Sequence, residues 1–301
     1  MQKQHSTRDY HVKDSPDLMT ELTICESLAS GGSPYMIALD KPGAYGAMIG
    51  DFLINRGILK PGASIMEAGG GYGSLMKGLL SSHSHLISDV RMADLSPYML
   101  KRQREALQDW KQVSFVQGDI LLLSETVSDI DLLIINEVIG DLDVITGLRE
   151  NDLPEEVSGL VKKYDLEIPS SGLFNFNTGA IKLVEALSKK NFAIFITEHS
   201  SDPIIPEAMD YLKEDLELDT FPREILLHKH SEYTIRFSHL IKIAEAAGRK
   251  VSTGSLIDLV GLKNTNEMKF IFTSHACSTD RQEIIYELLD HIREYRWLLI
   301  E

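Results

Sequence analysis

Residues 65–73 read IMEAGGGYG, an apolar run closed by one acid and followed by four glycines in five positions, and residues 74–80 continue as SLMKGLL. The order is that of a strand, a turn with exposed backbone, and a helix start. Glycine accepts positive φ and lets backbone N–H groups come close to a ligand. The helix N-terminus behind it adds a partial positive charge. This combination predicts an α/β unit whose turn holds a nucleotide-like cofactor.

The details of the turn narrow the cofactor. A dinucleotide fingerprint asks for Gly-x-Gly-x-x-Gly, and counting from Gly69 its last position is Ser74. The pattern present is instead Glu67-x-Gly69-x-Gly71-x-Gly73, which resembles motif I of class I S-adenosylmethionine methyltransferases. The resemblance implies that Glu67, Ala68, Gly69, Gly71 and Gly73 border the donor. A carboxylate at Glu67 suits a cationic sulfonium, whereas it would repel a pyrophosphate. A second strand ends at Asp94, 27 positions after Glu67, where α/β nucleotide folds carry a ribose-binding acid; Leu95 follows it. Val113–Gln117 reads as a third strand running into Gly118 and Asp119, the place where this superfamily meets adenine. A fourth apolar strand, 131–136, ends in Asn136 and Glu137, and polar residues at strand carboxyl ends are where open α/β sheets place chemistry. Taken singly, Asp94 or Asp119 would more often be a helix cap or a turn residue.

Further residues resemble the MidA-like family: Pro34 to Met36, Ala44 to Gly46, Gly50 to Phe52, the motif around Glu67, Asp94 to Leu100 with Gln103, the Asn136-Glu137 pair, and Arg236 to Gly248. The similarity runs in order through residues 34 to 273. It implies a methyltransferase related to a mitochondrial complex I assembly factor and acting on protein arginine. Two departures bear on the acceptor. Residues 140–143 read GDLD where the family shows Asp-Ala-Leu-Pro, and residues 198–200 read EHS where it shows Asp-Tyr-Gly.

Forty-five acids against thirty Lys and Arg give a formal net charge of −15 over 301 residues, which opposes binding to a phosphate backbone and argues against nucleic acid as substrate. No run approaches the roughly 20 apolar residues of a membrane helix, and the polar start lacks a signal peptide's apolar segment, so a cytoplasmic protein is expected. Cys25 and Cys277 give neither zinc spacing nor a disulfide framework. The pairs His83/His85 and His228/His230 stand at His-x-His spacing without further ligands, so no metal is expected.

The chain reads as two parts. Residues 1–58 form a helical leader, a lid or an arm of a homodimer, with one helix opening at Ser15-Pro16-Asp17 and running past Leu28, and another from Ala44 to Arg56 stopped by Gly57. Residues 59–301 form a Rossmann-like domain with a mostly parallel seven-stranded sheet, helices on both faces, and an antiparallel last strand. A poorly periodic segment at about 141–178 reads as an insertion over the strand ends. A helix from about Ala180 to Lys190 leads to a fifth strand ending at Glu198 and His199. Ser238 is expected to cap a helix ending at Gly248. Glu267–Thr273 reads as the last strand, and a capping box at Thr279 opens a C-terminal helix over 279–299.

Methyl transfer from a sulfonium is an in-line displacement governed by positioning and exclusion of water, with no covalent nucleophile needed. An amine or guanidinium acceptor needs a carboxylate to align it and a base to remove a proton. Glu137, Glu198 and His199 are the candidates, Glu137 as the orienting group and His199 as the base from its ordinary pKa of about 6.5. The expected reaction takes S-adenosylmethionine to S-adenosylhomocysteine with a protein or small-molecule nitrogen acceptor. An O-methyltransferase of a metabolite and a donor-binding assembly factor without transfer activity are the alternatives.

Overall fold

The computed structural model describes residues 2–15, 17–18 and 23–301. Seven strands form the main sheet: β1 (Ala63–Ala68), β2 (Ile87–Asp94), β3 (Val113–Gln117), β4 (Leu132–Asn136), β5 (Ala193–His199), β6 (Val251–Ser255) and β7 (Tyr295–Ile300). Their order is β6-β7-β5-β4-β1-β2-β3, and β7 alone runs antiparallel to its neighbours. The expected fold class therefore stands, a mostly parallel sheet with an antiparallel last strand.

Burial on both faces explains why the central strands are continuously apolar. In β4, Leu132 and Ile134 join the core on one side while Leu133 and Ile135 join the core on the other. In β5, Phe195 faces the first core, and Ile194 and Ile196 face the second. A sheet covered on both faces by helices has no polar side to expose. The strand ends are then the places where polar side chains gather.

Three assignments read from the sequence are corrected. Glu267–Thr273 is not a strand but part of the helix Asn266–Ser274, capped by the Thr265 hydroxyl, which accepts from the Met268 N–H. Its buried residues Met268, Ile271 and Phe272 have helical spacing, and Phe270 faces solvent. The last strand is β7, and the C-terminal helix ends at Ile292 rather than 299. Ser238 is not the cap of the helix Phe237–Ala246. There the Asp202 carboxylate accepts from the N–H groups of Phe237 and Ser238, both at 2.8 Å. Thr279 caps the C-terminal helix as expected, its hydroxyl accepting from the Gln282 N–H, while the Gln282 side chain accepts from the Ser278 N–H rather than from that of Thr279.

Residues 141–178 contain a strand, Val144–Leu148, a helix, Glu155–Tyr164, and a strand, Phe174–Phe176. Both strands join Lys3–His5 in a small antiparallel sheet. The helix expected to open at Ser15-Pro16-Asp17 lies in part outside the described residues; on either side stand the helices Arg8–Lys13 and Ile24–Ser27. The helix expected from Ala44 spans Tyr45–Asn55. Among the described residues no helix is long and apolar enough to cross a membrane.

Candidate active site

A cavity of about 570 Å³ opens beyond the carboxyl ends of β1 to β5. Its floor is the glycine-rich turn. Gly69 and Gly71 take φ of 67° and 50°, values that side-chain-bearing residues rarely adopt, and Gly69 donates its N–H to the Ala93 carbonyl at 2.8 Å, tying the turn to β2. A Cβ on Gly69 would lie 2.4 Å from a Val138 methyl, and one on Gly70 would lie 2.5 Å from the Met92 methyl. Gly73 closes the turn, its N–H donating to the Gly70 carbonyl at 2.7 Å, and precedes the helix Ser74–His83.

The carboxylate of Asp94 stands on the cavity wall, accepting from the Ser96 N–H and from the Gln103 side-chain amide, both at 2.8 Å. Gln103 also donates to the Gly71 carbonyl at 3.1 Å, so one amide locks the glycine turn to the acid at the end of β2. Burial pushes the Asp94 carboxyl up to about 6 against these two donors. Glu67 is buried beneath the turn. Burial, with Asp94 and Glu26 nearby, pushes its carboxyl up to about 8, and its Oε2 has no hydrogen-bond donor. An orphaned buried acceptor beside a bare glycine backbone fits a guest with donors and positive charge.

Asp119 lines the same cavity but has other duties. Its Oδ1 accepts from the Leu121 N–H as the cap of the helix Ile120–Thr126, and its Oδ2 is ion-paired with Arg8. Asp119 therefore caps that helix as well as lining the cavity.

The other end of the cavity is built by β4, β5 and β7. Asn136 is buried, its Oδ1 accepting from the Tyr45 hydroxyl at 3.0 Å and from the Thr197 hydroxyl. Glu137 follows with φ of 54°, a strained value for a non-glycine residue, held by its N–H to the Thr197 carbonyl at 3.0 Å and by the Cys25 N–H, which donates to its carboxylate at 3.2 Å. Burial, with Glu232 and Glu26 adding repulsion, pushes the Glu137 carboxyl up to about 8. Glu198 is buried and held well above the usual carboxylate range, accepting from the N–H groups of Gly140 at 3.1 Å and His199 at 3.0 Å. His199 packs against Tyr295 with ring centroids 4.0 Å apart. Burial, with His291 and Arg223 adding like charge, drives its imidazole well below the ordinary value.

Every residue expected at the site lines this cavity except Ala68 and Gly73, which sit in the strand and turn behind it. The expected order of basicity is reversed. Burial removes protons from His199 and retains them on Glu137, so Glu137 is the group poised to exchange a proton near neutral pH. Sequence reading did not include Gly70, Glu26 or Glu232 in the site. Gly70 was legible within the glycine run. The other two come from the leader and a distant hairpin, whose docking no local pattern announces.

The retained protons have a consequence for stability. The unfolded glutamates release protons near 4.5, while folded Glu67 and Glu137 hold them to about 8; Asp94 holds its proton to about 6 instead of 3.8. These groups' contribution is fully present below the unfolded values and is lost as pH rises through the folded ones. Urea unfolding is expected to show stability falling from about pH 5 to pH 9, by on the order of 2 kcal/mol per glutamate after allowance for water in the cavity. A flat or rising curve would refute the burial of these acids.

Comparison with known proteins fits this geometry. Residues 66–151 match the model of a family described as a methyltransferase domain, a span that runs from β1 through the glycine turn, Asp94, Asn136 and Glu137. No curated protein matches the chain. Among solved structures, the chain is similar to an uncharacterised protein of Burkholderia thailandensis, at 12% identity and a TM-score of 0.56, covering 85% of this chain and 78% of that one. It is similar also to a second protein of the same superfamily and organism, solved with S-adenosyl-homocysteine bound, at 14% identity and a TM-score of 0.54, covering 89% and 76%. Residues 66–151 are thus similar to a methyltransferase domain, within an α/β fold that the chain shares with these two structures.

Proposed function

We propose that this protein moves the methyl group of S-adenosylmethionine to a nitrogen of a cationic acceptor, an amine or a guanidinium. Glu67, Gly69, Gly70, Gly71, Asp94 and Leu95 would hold the donor. Asp94 meets the ribose hydroxyls, and the unpartnered oxygen of Glu67 faces the positive end. Ala68 and Gly73 would support the turn from behind, and Gly118 with Asp119 would border the adenine. When bound, the donor supplies an activated methyl carbon for in-line displacement. The related structure solved with S-adenosyl-homocysteine supports this choice of donor.

The observation that carries the acceptor assignment is the acidity of the cavity. Eleven Asp and Glu side chains line the cavity against two arginines, and both arginines are already ion-paired, Arg8 with Asp119 and Arg223 with Glu294. Glu137 and Glu198 are both raised by burial and by repulsion from Glu232. A cation placed between them relieves that repulsion and lets the carboxylates ionise. An alkylammonium must lose a proton before its nitrogen attacks, and Glu137, held to about 8, can take it. The resemblance to MidA-like proteins favours arginine among such acceptors.

Incubation with methyl-labelled donor and three acceptor pools tests the reading: arginine-rich peptides, small amines, and hydroxy or carboxylic metabolites. Label is expected on nitrogen. Label on oxygen alone would sink the acceptor assignment, and absence of label with donor bound would favour an assembly factor. Donor binding is read separately, by titration with S-adenosyl-homocysteine. Asp94→Asn is expected to weaken it about tenfold or more, through the loss of charge-assisted hydrogen bonds.

A further inference from the structure

His11, Asp141 and His230 come from three segments far apart in the chain. They lie on the helix Arg8–Lys13, at the end of the short turn Ile139–Asp141 after β4, and between the strands Glu224–Leu226 and Ser231–Tyr233. Their ligand-capable atoms lie within 4.8 Å of one another. His11 Nε2 is 3.1 Å from Asp141 Oδ1, and His230 Nε2 is 3.5 Å from the same oxygen. His11 Nε2 and Asp141 Oδ1 are both shut off from solvent, yet at 3.1 Å they are not aligned as a hydrogen bond.

That spacing is what a shared ion imposes. Ligands at about 2.0–2.2 Å from a metal lie about 3.0–3.6 Å from each other across a tetrahedral or octahedral shell. The surroundings fix the three groups. The Tyr10 ring stacks on His230 with centroids 4.2 Å apart, and the Thr7 hydroxyl donates to the Asp141 carbonyl at 2.8 Å. Glu232 Oε1 lies 3.5 Å from His230 Nε2, beside the cluster but outside it. Two imidazoles with one carboxylate suit Zn²⁺, Co²⁺, Mn²⁺ or Fe²⁺.

We propose that His11, Asp141 and His230 bind one divalent transition-metal ion that fastens the N-terminal helix Arg8–Lys13 across the cavity. His11, Asp141 and Glu232 line that cavity, so the ion forms part of its wall. The start of the segment is already held by pairing of Lys3–His5 with Val144–Thr146, whereas the helix Arg8–Lys13 beyond it is tied by the ion pair of Arg8, half exposed, with Asp119. An ion joining that helix to Asp141 and to the hairpin would add a tie beyond the paired strand and hold the helix against the cavity.

The test uses the full chain, freed of metal with a chelator, dialysed and titrated with Zn²⁺ in a calorimeter. One ion per chain is expected, with a dissociation constant of about a micromolar or lower. His230→Gln and Asp141→Asn are each expected to weaken binding at least about tenfold. His228→Gln alters an exposed neighbour in the same hairpin and should change nothing. In limited proteolysis, Zn²⁺ should protect the N-terminal segment of the wild type but not that of His11→Gln. Absence of saturable binding by the unaltered chain, or binding that all three ligand variants leave unchanged, overturns the proposal. None of these readouts involves methyl transfer, so failure here is distinct from failure of the proposed activity.

Discussion

Replacing Glu137 with Gln is expected to lower methyl transfer to an amine or guanidinium by about 10²–10⁴-fold while donor affinity stays within about threefold. The variant is a clean one. Burial keeps the Glu137 carboxyl protonated to about 8, so near neutral pH a neutral amide replaces a mostly neutral acid of the same shape. The amide oxygen can still accept from the Cys25 N–H, which holds the side chain in place. What Gln cannot do is ionise and take a proton.

The pH profile separates this role from a merely structural one. The groups facing Glu137 are Glu26 and Glu232, which raise its carboxyl, with Tyr45, Glu198 and Tyr295 sharing the same buried field. Only the ionised carboxylate accepts a proton, so kcat/KM in the wild type should climb with pH to a plateau above about 8. A bound cation draws the carboxyl down, which shifts the rise in kcat to lower pH. In Glu137→Gln both rises should vanish. A variant that keeps the wild-type rate and the wild-type profile would remove Glu137 from the chemistry. His199→Gln should cost less, because its imidazole is already driven well below its ordinary value and is a weak base.

What could be read from the chain follows from where its signals originate. Strands β4 and β5 were legible because burial on both faces forces unbroken apolar runs, β1 to β3 because apolar residues recur along them between polar ones, and the glycine turn because backbone in the αL region leaves few residue choices. Glu67, Asp94, Asn136, Glu137 and Glu198 were legible because they stand at the ends of those runs. β7 was not. Its six residues are all buried and directly follow an amphipathic helix, so the apolar pattern of Ile285 to Ile292 appears to the eye to continue through Ile300. Buried Arg296 interrupts it, and its partner Asp202, at 3.3 Å, is distant in sequence. Helix Asn266–Ser274 misled in the opposite sense, because exposed Phe270 completes a false alternation with Met268 and Phe272. The contributions of Glu26, His11 and Glu232 depend on how the leader and the hairpin dock against the strand ends, which is a long-range property.

Gly46→Ala is expected to destabilise the protein by about 3 kcal/mol and to lower its melting temperature by roughly 5–10 °C. Helix Tyr45–Asn55 crosses helix Ser74–His83 with almost no side chain between the two backbones. A Cβ on Gly46 would lie 1.8 Å from the Leu75 carbonyl oxygen and 2.6 Å from the Leu79 nitrogen. One helical turn later, a Cβ on Gly50 would lie 2.3 Å from the His83 ring, and from the other side one on Gly78 would meet the backbone of Gly46 at 3.2 Å. The atom struck first is backbone, which cannot swing aside, so the helices must part. Helix Ser74–His83 begins at the glycine turn, and Ser74 also donates its hydroxyl to Glu26 at 2.9 Å. Parting the helices therefore moves the donor-binding turn, and S-adenosyl-homocysteine affinity should fall together with stability. Gly159→Ala supplies the contrast. That glycine lies within the helix Glu155–Tyr164 with nothing within 4 Å of an added Cβ, so alanine there should stabilise by about 0.5–1 kcal/mol. A Gly46→Ala protein that melts within about 2 °C of wild type and binds the product with unchanged affinity would show that the two helices are not in contact as described.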